Sequence, residues 1–260
     1  MEVFKSIPKP TTRSPLRQNL GVAYHRLKRR GKWAFGGIKF ARVSAEALPY
    51  EYFTHQTPLL RHLMGVDPIL EQNKIVNLHL CLARTNNVTL HPGETFSFWK
   101  SIGKPTTSKG YLDGAVLRDG RLSQGLGGGL CHLSGFIYWM TLHTPLTVVE
   151  RHRHGYDTTP TKLFGSDATC FYNYKDLQIK NDTDQAFQLV IEIGDDQLKG
   201  SWLSEQHPEF VYEIYEKHST FHHQDWGGQT RHNHLYRRVF DAQGEQVADE
   251  FVAENHAIVM

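Results

Sequence analysis

Cys131 is the residue of this chain with the strongest claim to covalent chemistry. It follows a glycine-dense run, with Gly125, Gly127, Gly128 and Gly129 just ahead of it, and opens an apolar segment that reads as a helix to about His143. A thiol in the first turn of a helix meets the positive end of the helix dipole, which favours the nucleophilic thiolate. Glycine lets the backbone turn sharply and lets a ligand or another segment come close. A β-branched run from Thr147 then reads as a strand. With a two-residue period it places Glu150, His152 and His154 on one face, which offers two imidazoles as a general base for the thiol.

The same residues support two other readings. Cys131, His152 and His154 with a water would suit zinc, whereas the adjacent His132 diverges from Cys131 and does not reach the same ion. Alternatively the glycines form a packing loop, Cys131 is buried and the histidines are structural. Asp167, in the segment Gly165-Ser-Asp-Ala-Thr-Cys170, reads as a turn residue in preference to the third member of a triad. Cys81 reads as a small buried hydrophobe, and Cys170 as a packing residue. His222, His223, His232 and His234 read as exposed loop.

The elements around these residues follow from pattern. Asp67-Pro68 is a helix start, because Asp accepts from free N–H groups and Pro suits the first helical position. That helix runs to about Arg84, with Ile69, Val76 and Leu80, and Leu78 and Leu82 nearby, as its apolar stripe. Val88–Leu90 and Thr95–Trp99 read as strands around a His91-Pro-Gly-Glu94 turn, and Thr107–Gly114 as an irregular loop. Asp119-Gly120 between apolar runs signals a hairpin. Beyond Cys170 the chain reads as antiparallel strands: Leu177–Lys180, Ala186–Ile193, Gln197–Leu203, Phe210–His218, His234–Phe240 and Glu250–Ala253. The expected fold class is α+β, with a helical start, a mixed centre and a β-rich end. Three parts are expected: a partly helical extension over 1–66, a core over 67–175 and a β-rich part over 176–260 packed on it.

Composition narrows the function. The chain has 260 residues, 39% of them hydrophobic and 22% charged, which is ordinary for a globular protein. A net charge of +2 gives no argument for nucleic acid or an acidic membrane. The basic run His25–Lys32 reads as a solvated helix face, and residues 1–15 as poorly ordered. The first residues contain no apolar signal segment, and no run approaches the ~18 apolar residues of a membrane span. Three widely spaced cysteines make no disulfide framework. These features together set the expectation of a cytoplasmic protein without an integral membrane segment.

Several motifs in order resemble the VanW family: His91-Pro-Gly-Glu-Thr-Phe-Ser-Phe98, Lys109-Gly-Tyr111, Gly127-Gly-Gly-Leu-Cys131, Glu150-Arg-His152 with His154, and Ala168-Thr169. The resemblance covers roughly residues 67–175, and the flanks are similar to the family's short, unexported branch. His132 stands where the family pattern has Gln, and Gly155 where it tends to have Ser. The resemblance implies a link to glycopeptide resistance or cell-wall metabolism. Joined to the residues, it suggests a cysteine-dependent acyl transferase or hydrolase on a peptide-like substrate such as a cell-wall precursor, with no cofactor. Cys131 would be the nucleophile and His154 or His152 the base. Gly127, Gly128, Gly129 and His132 would bind the oxyanion, with Tyr111 and Glu94 as further ligand-binding candidates. The alternative is a non-catalytic binding module that presents Phe96, Phe98, Trp99, Tyr111 and Tyr138 to a wall fragment or partner protein.

Overall fold

A computed structural model describes residues 13–60, 67–118, 121–157 and 163–259. The fold is α+β. Helix α1 (Pro15–Phe35) leads into β1 (Arg42–Val43) and β2 (Tyr50–Pro58), followed by α2 (Pro68–Thr85). Strands β3 (Val88–Leu90) and β4 (Thr95–Ser97), the short α3 (Phe98–Ile102) and the hairpin β5 (Asp113–Arg118) and β6 (Arg121–Leu126) precede α4 (Leu130–Leu142). Then come β7 (Thr147–Glu150), β8 (Tyr156–Asp157), β9 (Gln178–Lys180), β10 (Phe187–Ile193) and β11 (Gln197–Ser204). Three long strands close the chain: β12 (Val211–His223), β13 (Gln229–Phe240) and β14 (Gln246–Val259).

A five-stranded antiparallel sheet in the order β1-β3-β10-β11-β2 draws strands from the beginning, middle and later parts of the chain. The strand β2 was not foreseen, and it pairs along most of β11. Helix α4 packs on this sheet. Its Thr141 hydroxyl accepts from the indole N–H of the fully buried Trp202 on β11, at 3.2 Å. Nearly every side chain of α4 is buried, so this helix is part of the core and not a half-solvated face. The remaining strands form a four-stranded sheet, β12-β13-β14-β8, a three-stranded sheet, β4-β9-β7, and the two-stranded hairpin β5-β6.

The helix foreseen from Asp67 is present, with the Asp67 carboxylate accepting from Ile69 N–H at 3.0 Å. Its inner face matches the expected one only at Leu78 and Leu82. Ile69 and Val76 are exposed, whereas Lys74, Asn77, Leu78, Cys81, Leu82 and Thr85 are buried. Polar groups enter that face because loop carbonyls meet them there. The Asn77 amide donates to Leu112 O at 2.9 Å and to Gly128 O at 3.0 Å.

Other expectations are corrected. The strand read over Thr95–Trp99 turns into α3 at Phe98, because Ser97 Oγ accepts from Lys100 N–H and the Asp176 carboxylate accepts from Trp99 N–H. The Thr107–Gly114 loop contains a 3₁₀ turn at Thr107–Lys109. The basic run is not simply solvated: Arg26 donates to Tyr172 O, and Arg29 grips Glu150 with two guanidinium nitrogens. The later histidines are not on a loop. His222 lies on β12 and His232 and His234 on β13, with His232 buried. The hairpin strands β5 and β6 pair in register, while Asp119 and Gly120 lie outside the described residues, as do residues 1–12 of the expected disordered start.

Candidate active site

The glycine run works by close packing. A Cβ on Gly128 would stand 2.3 Å from the carbonyl carbon of Gly114, so the hairpin and the loop can touch only through bare backbone. Gly129 caps α4 in the left-handed region, at φ 98°, with its α-carbon against the Lys74 side chain. Asn77 clamps the turn further by accepting from Leu112 N–H at 2.8 Å. The result is a rigid entry that sets Cys131 in the first turn of α4, half-buried.

A second segment lies across that helix start. Thr169 N–H donates to His152 O at 2.7 Å, and Ser134 Oγ donates to Ala168 O at 2.7 Å, so residues 152 and 168–170 run against α4. Around the Cys131 sulfur stand Thr169 Oγ1 at 3.4 Å, Cys170 O at 3.6 Å and Cys170 Sγ at 3.7 Å. The His154 imidazole lies near enough to the same sulfur for each group to shift the other's protonation. On its other side His154 Nδ1 donates to Asp167 Oδ2 at 2.7 Å. Arg151 anchors the far side of Asp167: Nε donates to Asp167 O at 2.8 Å, and its other nitrogens reach Gly165 O, Asn255 Oδ1 and Asp167 Oδ1. Its guanidinium also lies over the Tyr138 ring.

Electrostatics follow the geometry. The hydrogen bond from Cys170 favours the Cys131 thiolate against the cost of burial, and His154 and Thr169 add to it, so the Cys131 pKa falls well below the ordinary thiol value. Burial and the neighbouring thiolate push Cys170 the opposite way. Burial alone would lower His154, but Asp167 and Cys131 outweigh it and raise the imidazole to about 9. Asp167 is buried, yet its bonds to His154 and the charge of Arg151 hold it well below the usual carboxylate range. The arrangement is a thiol with a lowered pKa beside an imidazole with a raised one that a carboxylate orients, a set that could serve as nucleophile, base and orienter.

The structure therefore separates the two histidines. The strand β7 ends at Glu150, so His152 and His154 lie beyond it and do not share a strand face. His152 Nε2 pairs with Glu150 Oε1 at 3.0 Å. Glu150 is also held by Arg29 and the Asp176 N–H, and although burial opposes it, these partners bring its pKa down to about 2. With His152 turned to Glu150, the metal set Cys131, His152 and His154 is not assembled. Among the described residues no group of three His, Cys, Asp or Glu side chains gathers as ligands.

Other sequence candidates find different places. Gly127 N–H is spent on Leu112 O and Gly128 N–H on Gly125 O, so these two amides do not face the thiol as an oxyanion cradle. His132 is half-buried, next to Cys131 in the helix and so about 100° around it. Glu94 accepts from His91 N–H at 3.0 Å and closes its own turn. Tyr111 is buried, and burial raises its hydroxyl pKa beyond the ordinary value. The aromatic surface of the binding-module reading does not exist as a surface: Phe96, Phe98, Trp99, Tyr111 and Tyr138 are all core residues. Asp167, read from the sequence as a turn residue, is the partner of His154. Cys170, Thr169 and Arg151 were not singled out for the site. The one signal for them was polar residues crowded near a cysteine in Ser166-Asp-Ala-Thr-Cys170.

Comparison with known proteins agrees with this region. A family model described as VanW like protein matches residues 73–203. The vancomycin B-type resistance protein VanW of Enterococcus faecalis is 34% identical over 185 residues, which is 69% of this chain and 67% of that protein. The uncharacterized protein YoaR of Bacillus subtilis is 32% identical over 109 residues, 42% of this chain and 36% of that protein. No solved structure matches the chain. The matched span holds Cys131, His154 and Asp167 together with the elements that position them, and the chain belongs to the VanW-like family.

Proposed function

We propose that this protein is a cysteine-dependent acyl transferase or hydrolase acting on a peptide-like amide in cell-wall metabolism. The observation that carries the reading is the placement of His154 between the Cys131 sulfur and the Asp167 carboxylate. The Cys131 thiolate attacks the amide carbonyl, and the His154 imidazolium protonates the departing amine. The thioester left on Cys131 passes its acyl group to water or to an acceptor amine, whose proton His154 takes as base. The helix N-terminus under Cys131 offers positive potential where negative charge develops on the carbonyl oxygen. The relative named for vancomycin B-type resistance supports a small peptide of wall precursors as the substrate class.

Alkylation by iodoacetamide across pH tests the nucleophile. Cys131 should react well below the pH at which a free thiol reacts, and a Cys131 that labels no faster than free cysteine overturns the reading.

A further inference from the structure

Cys170 has no step in the acyl-transfer chemistry, yet its thiol is the nearest sulfur to the nucleophile. The two Sγ atoms stand 3.7 Å apart and both thiols are free. The contact is built in from both sides. Cys131 is fixed by the capped start of α4, and Cys170 by the anchored stretch Ala168–Cys170, through Ser134 Oγ on Ala168 O and Thr169 N–H on His152 O. Cys131 is half-buried, whereas Cys170 is only 5% exposed, so Cys131 is the sulfur that meets a small oxidant first. An ordinary disulfide has its sulfurs about 2.05 Å apart, a closure that side-chain rotation from van der Waals contact can supply.

We propose that Cys131 and Cys170 form a dithiol that reacts with a hydroperoxide, Cys131 as the attacking thiol and Cys170 as the resolving one. The Cys131 sulfur attacks the terminal oxygen of the hydroperoxide. The O–O bond breaks, the sulfur is oxidised to a sulfenic acid, and the departing alkoxide takes the His154 proton and leaves as an alcohol (water, when the oxidant is hydrogen peroxide). Cys170 sulfur then attacks Cys131 sulfur. The S–O bond breaks, and hydroxide leaves as water with the Cys170 proton, so one hydroperoxide is reduced and two thiols become one disulfide. A small external dithiol restores both thiols by exchange. Without a resolving partner so close, a reactive thiolate at this position would be driven on to the sulfinic acid. The proposal rests on the juxtaposition of the two sulfurs and not on the acyl-transfer reading.

The test uses the intact wild-type protein. Hydrogen peroxide is added at a small molar excess, remaining thiols are blocked with N-ethylmaleimide, and tryptic peptides are mapped without reduction. The peptide that carries Cys131 should appear joined to the one that carries Cys170, two hydrogens lighter than their sum, and dithiothreitol should release both. In Cys170→Ser the sulfinic acid at Cys131 should accumulate roughly tenfold faster than in wild type. Three results overturn the proposal: wild-type Cys131 reaching the sulfinic acid without a linked peptide, Cys131 linking to Cys81, or Cys131 surviving peroxide as a free thiol. The outcome separates from the function above. A protein that forms the disulfide but hydrolyses no peptide loses only the acyl-transfer reading. One whose Cys131 alkylates fast but never links to Cys170 loses only the dithiol.

Discussion

His154 gives Asp167 two hydrogen bonds to the same carboxylate oxygen, from ring Nδ1 at 2.7 Å and from its own backbone N–H at 3.0 Å. The backbone bond fixes where the carboxylate sits, and the ring bond fixes which nitrogen keeps its proton, leaving Nε2 for the sulfur side. Asp167→Asn keeps the shape and removes the charge that holds the imidazolium. The pH midpoint of Cys131 alkylation should then rise toward that of a free thiol, and peptide turnover should drop roughly 10²–10⁴-fold. An unchanged midpoint would leave Asp167 as a structural staple only.

The ion pair also leaves a mark on stability. Between the ordinary imidazole value of 6.5 and about 9, the unfolded chain holds one proton on the thiol, while in the folded chain the lowered Cys131 and the raised His154 move that proton toward the imidazole. The proton counts match, so the wild-type pair contributes no slope in that window. In Cys131→Ser no thiol offsets the imidazole; the part of the His154 shift that Cys131 supplied is lost, and the bond and charge of Asp167 alone hold the folded value up. That stabilisation is full below pH 6.5 and is lost as pH rises through the folded value. Chemical denaturation at a series of pH values should show the variant losing stability above pH 6.5, over a window that closes below about 9 because the Cys131 contribution is gone, by up to about 1.4 kcal/mol per pH unit, a slope absent from wild type. Parallel profiles for the two proteins would mean that Asp167 alone does not keep His154 protonated.

What could be read from the sequence was local. The helix begun by Asp67-Pro68 and the cysteine at a helix start follow from caps and turn residues within a few positions of each other. Alternation also marks part of each long strand, but it stops short of His222 on β12 and of His232 on β13 and finds only four residues of β14. What could not be read depends on distant partners. Glu150, the last residue of β7, is oriented by Arg29, 121 residues away. Arg151 binds Asp167 while it also reaches Asn255, 104 residues away, so the role of Asp167 depends on a strand at the far end of the chain. Lys74 and Asn77 are polar in sequence and buried in the fold, because the carbonyls they serve arrive from other segments.

Gly128 joins the hairpin to the start of α4, and the smallest addition there should be felt at the Cys131 thiol. A methyl group would meet Gly114 backbone atoms at 2.3 and 2.5 Å, and backbone cannot swing aside as a side chain can. Gly128→Ala should cost about 1–3 kcal/mol, read from denaturant midpoints at constant slope. It should also slow Cys131 alkylation at neutral pH, because the helix start shifts against His154. A variant as stable and as reactive as wild type would show that the hairpin and the loop are not in close contact.

The two histidines of the His152-Arg-His154 stretch should separate cleanly on substitution. His154 contacts the sulfur and Asp167, whereas His152 Nε2 faces Glu150. His154→Ala removes the cation that stabilises the thiolate, so the Cys131 alkylation midpoint should rise and turnover should fall roughly 10²–10⁴-fold. His152→Ala takes one bond from a carboxylate that Arg29 and the Asp176 N–H still hold, so its alkylation profile should overlay that of wild type. Its stability should fall by only about 1 kcal/mol, the usual worth of a single partly exposed hydrogen bond. If instead His152→Ala shifted the alkylation midpoint and His154→Ala left it in place, the base would be His152, and the order of groups from Asp167 through His154 to Cys131 would be wrong.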